Sequence, residues 1–370
     1  MFNSVLNRKE STMAIYPKTA TDRRVPHANL KKVVAEIFVR CSMSEDDADL
    51  LTETLVHADL RGIHSHGVLR VPEYVERLTT GGVNPTGRPS VTSIHGSAIV
   101  VDAGNSMGQI GGTYAMREAI KTANATGVAF AAVRGSNHCG AMEWYTLLAA
   151  HENMIGVAGT NALPTMAPWG GLDKIVGINP LSVAIPAQEE GPLVLDFAFG
   201  ATAHGKIRVY QQKGIPIPDG WAFDTNGEPT TDANAALVGL IQPIGQHKGV
   251  GLGTVVGILS TLLSSAAYGT ELGNMADGPK AGRDGHFFLA INIAAFEQVE
   301  HFKRRVDKIV REVHGSRRAE GVDRLLVPGE LEASFERAYA TEGIPLAAIT
   351  INDIADQAEK LRVDASKLFV

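Results

Sequence analysis

Residues 61–70 read RGIHSHGVLR, which places His64, Ser65, His66 and Arg70 close together with Gly62 and Gly67 between them. An imidazole can take or give a proton near neutral pH. A hydroxyl beside it can orient the ring. A guanidinium can hold a carboxylate through two parallel hydrogen bonds. The stretch therefore fits an acid/base site for a carboxylate-bearing substrate, a metal site, or a polar helix start. The metal reading is the weaker one. His64 and His66 are two residues apart, a spacing that suits paired ligands only on a strand. Neither an H-E-x-x-H motif nor a Cys/His cluster joins them. No metal ligands are assigned.

Three other places carry chemistry. GQHKGVGLG, residues 245–253, sets Lys248 before Gly249, Gly251 and Gly253. At the start of a helix this arrangement would attract a phosphate, because free N–H groups and a cation converge there. Glycines that pack a helix tightly against a sheet would look the same. It is not a P-loop, since the lysine precedes the glycines and no GKS or GKT follows. No G-x-G-x-x-G follows a strand anywhere in the chain. His138, in the glycine-flanked turn SNHCG, is either a proton-transfer or ligand-contacting group or a satisfied turn residue. Asp196, at the end of an apolar run, either accepts from a ribose hydroxyl or caps the helix after it. Tyr74, Met142 and Trp144 read as core or pocket wall.

The elements that must position these groups follow from periodicity and turn signals. Residues 27–60 read as helix, with Ser44 and Asp47 forming a capping pattern and Leu51, Leu55 and Ala58 at helical spacing. Gly62 ends it. A new helix starting near His66 would present His66, Arg70 and Tyr74 on one face. Residues 79–89 read as loop, 98–104 as strand and 111–124 as helix. An α/β alternation follows: strand 127–135, turn 136–140, helix 141–153, strand 154–161. His138 then lies at the C-terminal end of a strand, where open α/β sheets bind ligands. Residues 192–198 read as a third strand, followed by a helix from Thr202 and a Pro/Gly-rich loop over 214–229. The run Leu252–Ala267 contains Gly, Thr and Ser and reads as a buried helix rather than a membrane span. Residues 285–293 are a late strand, and 296–363 mostly amphipathic helix broken at 327–330.

With 370 residues, 44% of them hydrophobic and 20% charged, the chain has an ordinary globular composition and can bury a large core. The net charge of −6 and the lack of a long basic run argue against a nucleic-acid partner. Two cysteines, Cys41 and Cys139, provide no disulfide framework, which fits a reducing cytoplasm. The first residues lack the apolar core of a signal peptide, and no membrane partner is expected. Residues 1–12 read as a loose extension or as residues ahead of a start at Met13.

Six segments together resemble the malate/L-lactate dehydrogenase family of the second type, which includes ureidoglycolate and sulfolactate dehydrogenases and diketogulonate and piperideine-2-carboxylate reductases. They are RGIHSHGVLRVPEYVERL, GSNHCGAMEWY, TNALPTMAPWGG, GINPLSVAIPA, VLDFAFGATAHGKI and GQHKGVGL, in family order from residue 27 to about 330. The resemblance implies a non-Rossmann NAD(P)-binding α/β domain over 91–295. It also implies a helical part built from 17–90 and 296–370. It implies a homodimer and hydride transfer between NAD or NADP and a small 2-hydroxy or 2-oxo acid. Carried over by position, His66 matches the proton donor/acceptor, Ser65 a relay hydroxyl and Arg70 the carboxylate ligand. His138 matches a proton acceptor or cofactor contact. His138, Cys139, Gly140, Ala141 and Met142 match one cofactor segment, Asp196, Phe197 and Ala198 the next, and His247 and Lys248 a third. Ile178, His204 and Gly205 match substrate-side positions. Two departures stand out: Ala162 where the family often has serine, and Ile178 where it often has threonine, which implies a more apolar pocket. Lys206 matches the hydroxyacid dehydrogenases, whereas the cyclic imino acid reductases carry an acidic residue there. A metal-dependent lyase or hydrolase using His64, His66, His138 and His247 is the rival from another class. The proposed chemistry requires a His66 pKa near neutrality.

Overall fold

The computed structural model describes residues 22–212, 214–273, 278 and 281–369; the expected extension at 1–12 and the start of the segment 17–90 lie outside them. The first helical stretch is two helices rather than one, α1 (His27–Arg40) and α2 (Glu45–Leu60). Ser42 between them adopts φ 70°, a left-handed backbone that ends a right-handed helix. The Ser44 side chain accepts from the Asp47 N–H, and three acidic residues in the first turn complement the helix dipole. The apolar stripes of both helices meet α3 (Val71–Thr79). Leu30, Phe38, Leu55 and Tyr74 share one apolar cluster with Tyr339, Ile354 and Leu368 from the C-terminal end of the chain. A short strand pair, Arg23–Val25 with Ile344–Leu346, ties the two ends.

Beside this cluster stands a mixed sheet of seven strands: β1 (Ser90–His95), β2 (Ala98–Asp102), β3 (Val128–Ser136), β4 (Met154–Thr160), β5 (Leu181–Ile185), β6 (Leu193–Phe197) and β7 (Asp284–Asn292). Their spatial order is β1-β2-β3-β7-β4-β5-β6. Only β2 and β3 pair in parallel. The late strand β7 enters between β3 and β4, with His286 opposite both Val133 and Thr160. α4 (Gly108–Thr126) and α5 (Glu143–His151) cover one face, and Met116, Tyr145 and Phe288 lie in the core between helix and sheet. On the other face Phe287 meets Met166, Phe199 and Ile241 in a separate core. The chain is thus an α/β fold built on a mixed sheet.

After β6 come α6 (His204–Gln212), α7 (Ala233–Val238) and α8 (His247–Thr261). The expectation of a buried helix over Leu252–Ala267 fails. α8 ends at Thr261, and Leu252, Val255, Ile258, Leu262 and Leu263 are 40–57% exposed. Its buried face carries only Val250 and Val256 among glycines and hydroxyl residues, with Gly253 packed near Gly177 and Gly257 against Asn179. The C-terminal break is also wider than expected. α9 (Val299–His314) ends fifteen residues before Gly329, where α10 (Glu330–Glu342) begins; α11 (Ala348–Lys360) follows. α9 does not join the helical cluster. Its Asp307 accepts from the backbone N–H groups of Gln188, Glu189 and Glu190 in the β5–β6 connection. Among the described residues no helix is long and apolar enough to cross a membrane.

Candidate active site

His66 and Arg70 do not share a continuous helix. His64–His66 and Val68–Arg70 are separate 3-10 turns joined by Gly67 in an extended conformation (φ −90°, ψ −154°), and α3 begins only at Val71. The cause is Asp59, buried in the last turn of α2. One carboxylate oxygen lies 2.7 Å from His64 Nδ1 and the other accepts from the Val68 N–H at 2.7 Å. These bonds fold the chain across the helix end. Arg70 returns to the turn, donating from Nε to the Ser65 carbonyl at 2.8 Å and from Nη1 to Glu73 at 2.7 Å. Its Nη2 has no hydrogen-bond partner among the described residues.

The turn delivers His66 onto His138, 72 positions later in the sequence. The rings are stacked, with centroids 5.5 Å apart and planes inclined by 15°. Ser65 Oγ lies 2.8 Å from His66 Nδ1. On the far side Tyr74 Oη is 2.7 Å from His138 Nδ1, and Gln109 Nε2 donates to the same hydroxyl at 3.0 Å. Because Tyr74 Oη accepts from Gln109, its own proton is available for His138 Nδ1, which leaves the His138 proton on Nε2. Both rings are deeply set yet keep an accessible edge. Burial first, and the Arg70 charge second, drive His66 down to about 3. The same two causes, with the neighbouring histidines added, hold His138 well below the usual histidine range. The pair is neutral at pH 7, so the expected near-neutral His66 is not what these surroundings give.

A polar floor fixes the 136–142 loop. Asn137 is buried, accepting from Arg77 Nη2 at 3.0 Å and donating to Asn105 Oδ1 and the Ser106 carbonyl, each at 2.9 Å. His286 sits 2.7 Å from Thr160 Oγ1 and 2.8 Å from Ser136 Oγ. Gly108 lets α4 approach so closely that a Cβ there would lie 2.1 Å from the Asn137 carbonyl oxygen. Cys139 and Met142 turn into the core and are 3% and 1% exposed. Burial pushes the Cys139 thiol up to about 12, so it stays protonated. Gly140 takes φ 74° and Ala141 leads into α5, so the loop can offer a ligand its main chain.

Asp196, at the end of β6, accepts from the Glu143 N–H at 2.8 Å. Burial, and then the Glu143 charge, raise its carboxyl to about 8. Glu143 is itself buried and paired with Arg61 Nε at 2.5 Å; Arg61 Nη1 reaches Glu336 at 2.9 Å. A cavity of about 230 Å³ opens here, lined by Ile63, Glu143, Asp196, Val327, Pro328 and Gly329 among others. Phe197 and Ala198 continue β6 toward the second core, where the Phe197 and Phe199 rings meet edge-on at 5.0 Å. The Ile178 carbonyl accepts from the Phe199 N–H at 2.8 Å, and its side chain packs on that core.

The remaining expected positions stand apart. His204 Nε2 lies 3.1 Å from the Leu237 carbonyl oxygen, and nothing lies within 4 Å of a Cβ placed on Gly205. His247 and Lys248 are exposed in the first turn of α8. No described hydrogen bond or ion pair joins these four to the His66–His138 pair. Gly249 packs closely, since a Cβ there would lie 2.1 Å from the Ile244 carbonyl oxygen, while Gly251 faces open space. Lys206 Nζ lies over the Trp221 ring, 4.9 Å from its centroid. Among the described residues no three His, Cys, Asp or Glu side chains converge as metal ligands. Sequence reasoning missed Asp59, Arg61, Gln109, Glu143 and the Val327–Gly329 wall. VPGE carried a signal but registered only as a helix break.

The model of the malate/L-lactate dehydrogenase family matches residues 25–355. A malate dehydrogenase of Pyrococcus abyssi is 35% identical over 348 residues, covering 92% of this chain and 95% of its own. A pyrroline-2-carboxylate/piperideine-2-carboxylate reductase of Pseudomonas putida is 30% identical, with 93% and 99% covered. The solved sulfolactate dehydrogenase of Methanocaldococcus jannaschii superposes with a TM-score of 0.88 at 34% identity, covering 94% of this chain and 99% of that one. Sequence and fold agree over nearly the whole length, and the chain belongs to the malate/L-lactate dehydrogenase family.

Proposed function

We propose that this protein is an NAD(P)-dependent oxidoreductase that interconverts a small 2-hydroxy acid and its 2-oxo acid. One observation carries the reading: a stacked pair of neutral imidazoles beside an arginine whose Nη2 is unspent. Arg70 binds the substrate carboxylate. His66, with Nδ1–H directed to Ser65, keeps a lone pair on Nε2 to accept the hydroxyl proton. His138, fixed by Tyr74, offers Nε2–H to the same substrate oxygen. The bound carboxylate offsets the Arg70 charge, removing one of the two causes that depress His66, so its pKa rises toward the working range on binding.

When bound, the nicotinamide cofactor supplies the hydride acceptor or donor. The donor set fits such a group in two places. The first turn of α8 places the exposed Lys248 at the positive end of the helix dipole, suited to phosphate. The cavity between Asp196 and Val327–Gly329 adjoins the turn through Ile63, and the Asp196 carboxyl, neutral near pH 7, can donate a hydrogen bond there. Residues 91–295 would form this cofactor-binding part, on a sheet with one parallel pair and no glycine fingerprint, hence non-Rossmann. Of the segments 17–90 and 296–370, the described residues up to Leu78 and those from Phe335 to Leu368 would form the helical part that presents the proton-transfer turn, as their shared apolar cluster supports, while α9 lies against the β5–β6 connection. The exposed apolar stripe of α8 supports a homodimer. For an imino acid reductase the position of Lys206 is unfavourable, since it puts an ammonium where an acidic residue is expected.

A panel of 2-oxo acids and cyclic imino acids, read at the nicotinamide absorbance with NADH and NADPH, tests the reading. Turnover of at least one 2-oxo acid that falls by about 10²–10⁴ in His66→Ala is expected. Reduction of imino acids alone, or a fully active His66→Ala, would refute it.

A further inference from the structure

We infer that Asp59 is a positioning residue for the reaction: its carboxylate holds the turn that carries Ser65 and His66. The inference rests on the reading of His66 as the proton-transfer group. Asp59 is 1% exposed and lies in the last turn of α2. Burying a carboxylate costs free energy unless its oxygens are paired. The fold spends both oxygens on a single five-residue segment, His64 Nδ1 at one end and Val68 N–H at the other.

Ser65 and His66 lie between those two anchors. Arg70 Nε also holds the Ser65 carbonyl at 2.8 Å, and the His64 ring stacks on Tyr339, but only Asp59 grips both ends. Each flanking 3-10 turn is three residues long, and its internal bonds, such as His66 N–H to Ile63 at 2.9 Å and Gly67 N–H to His64 at 3.2 Å, are local. The hinge between the turns is set against the same carboxylate. A Cβ on Gly67 would lie 2.2 Å from Asp59 Oδ1, Oδ2 and Cγ, so only glycine allows this approach. With the carboxylate removed, the hinge and both anchors are released together. His66 then loses its register with His138 and with the Arg70 guanidinium, while the 136–142 loop and α8 are untouched.

The test uses the full chain with Asp59→Ala, Asp59→Asn, Gly67→Ala and the Asp59→Ala/Gly67→Ala double variant. The readouts are kcat on the preferred 2-oxo acid, cofactor Kd by nicotinamide fluorescence, and the thermal midpoint. Asp59→Ala is expected to lower kcat about 10²-fold with cofactor Kd within about threefold, the loss typical of a misplaced reacting group. Asp59→Asn keeps an oxygen for Val68 N–H and an amide for His64, and should recover about tenfold or more of that loss. Gly67→Ala drives a methyl group into the carboxylate, so kcat should fall about tenfold or more. The double variant should be no worse than the poorer single one, because both changes break one contact. Additive losses, or an Asp59→Ala with near-normal kcat, would overturn the role. Should Asp59→Ala not fold, Gly67→Ala decides, and an unchanged kcat there overturns it. A fully active His66→Ala would instead overturn the reading of the reaction, whereas an inactive His66→Ala beside an active Asp59→Ala would overturn only the positioning.

Discussion

Replacing Tyr74 by phenylalanine removes one oxygen atom and should be felt in both stability and catalysis. The ring is 2% exposed and packs in the helical core, so Phe fills the same space. What is lost is the hydroxyl that links Gln109 Nε2 to His138 Nδ1. Gln109 is fully buried and its Oε1 already lacks a hydrogen-bond partner, so the variant strands its amide entirely. Leaving a buried donor or acceptor unpaired costs about 1–3 kcal/mol, and two are left here, one of them at a ring with an accessible edge. The expected loss is about 2–4 kcal/mol, measured as the fall in unfolding free energy by urea titration at pH 7.5. The catalytic effect works through the tautomer. With Tyr74 present, Nδ1 accepts and Nε2 carries the proton; without it both tautomers are populated and the ring is free to turn. The imidazole itself remains, so the fall in kcat should stay below the full value of a general acid/base group, at about 10–10²-fold. Cofactor affinity should not move. A Tyr74→Phe enzyme with kcat within about twofold of the parent would refute the tautomer argument. A stability loss under about 0.5 kcal/mol would refute the hydrogen-bond argument separately.

Arg70→Lys keeps the charge but loses the planar fork, and should lower kcat/KM at least about tenfold on 2-oxo acids; unchanged kinetics would make Arg70 a surface residue paired with Glu73. Lys248→Ala should raise the cofactor KM far more than the substrate KM, and a flat cofactor titration would move the phosphate site off α8. His286 is held at about 4, against 6.5 in the unfolded chain, by burial. The unfolded state therefore binds the extra proton between those values, and stability is retained above pH 6.5 and lost as pH falls toward 4. At pH 5 the loss from this residue alone is about 2 kcal/mol. His286→Gln should flatten the urea-derived stability between pH 7 and 5, and an undiminished slope would show that His286 is not the group responsible. Val255→Glu, placed on the exposed stripe of α8, should convert a dimer to monomers in sedimentation; a dimer unchanged by it would place the contact elsewhere.

What the sequence displays depends on the range of the interaction concerned. The Ser44 cap is readable because a helix start is decided within four residues, and the structure keeps it. The break at Ser42 is not readable, because nothing in CSMS requires a left-handed serine; the packing of α1 on α2 does. The strands around His138 are readable as apolar runs, but the entry of β7 between β3 and β4 pairs residues such as His286 and Thr160, 126 positions apart. α8 misled for a different reason. Its apolar residues suggested burial all round, yet glycines, two valines and hydroxyl residues form the buried face, and Leu252, Val255 and Ile258 the exposed one. At the site, residue type pointed to His66, Arg70 and His138. Helical spacing then suggested a shared face for His66 and Arg70, and Asp59 overrides that spacing through bonds five and nine residues away. Glu143 and Arg61 were passed over because, in sequence, a buried ion pair looks like two surface charges.

On the proposed assignment of His66 and Arg70, the electrostatics of the pair would make the substrate carboxylate part of the proton-transfer machinery. A proton on His66 lies beside the Arg70 charge, and it also opposes a charge on His138 through the stack. Beyond the one N–H that each neutral ring carries, the pair therefore takes up one further proton at most and titrates as a unit. Burial and Arg70 act in the same direction against even that proton. On the proposed assignment, a carboxylate on Arg70 would match the guanidinium charge and leave burial alone opposing the proton that His66 takes from the hydroxyl. Proton acceptance would thereby be coupled to occupancy by an acid. An ester or amide of the substrate loses more than an anchor, because it leaves Arg70 unmatched and His66 depressed. Its penalty should accordingly fall on kcat as well as on KM. In Arg70→Ala the acid and its amide should become equally poor, with the pH dependence of kcat/KM shifted upward because the cation that held His66 down is gone. An upward shift without loss of the acid-over-amide preference would separate the two roles and assign Arg70 to tuning alone.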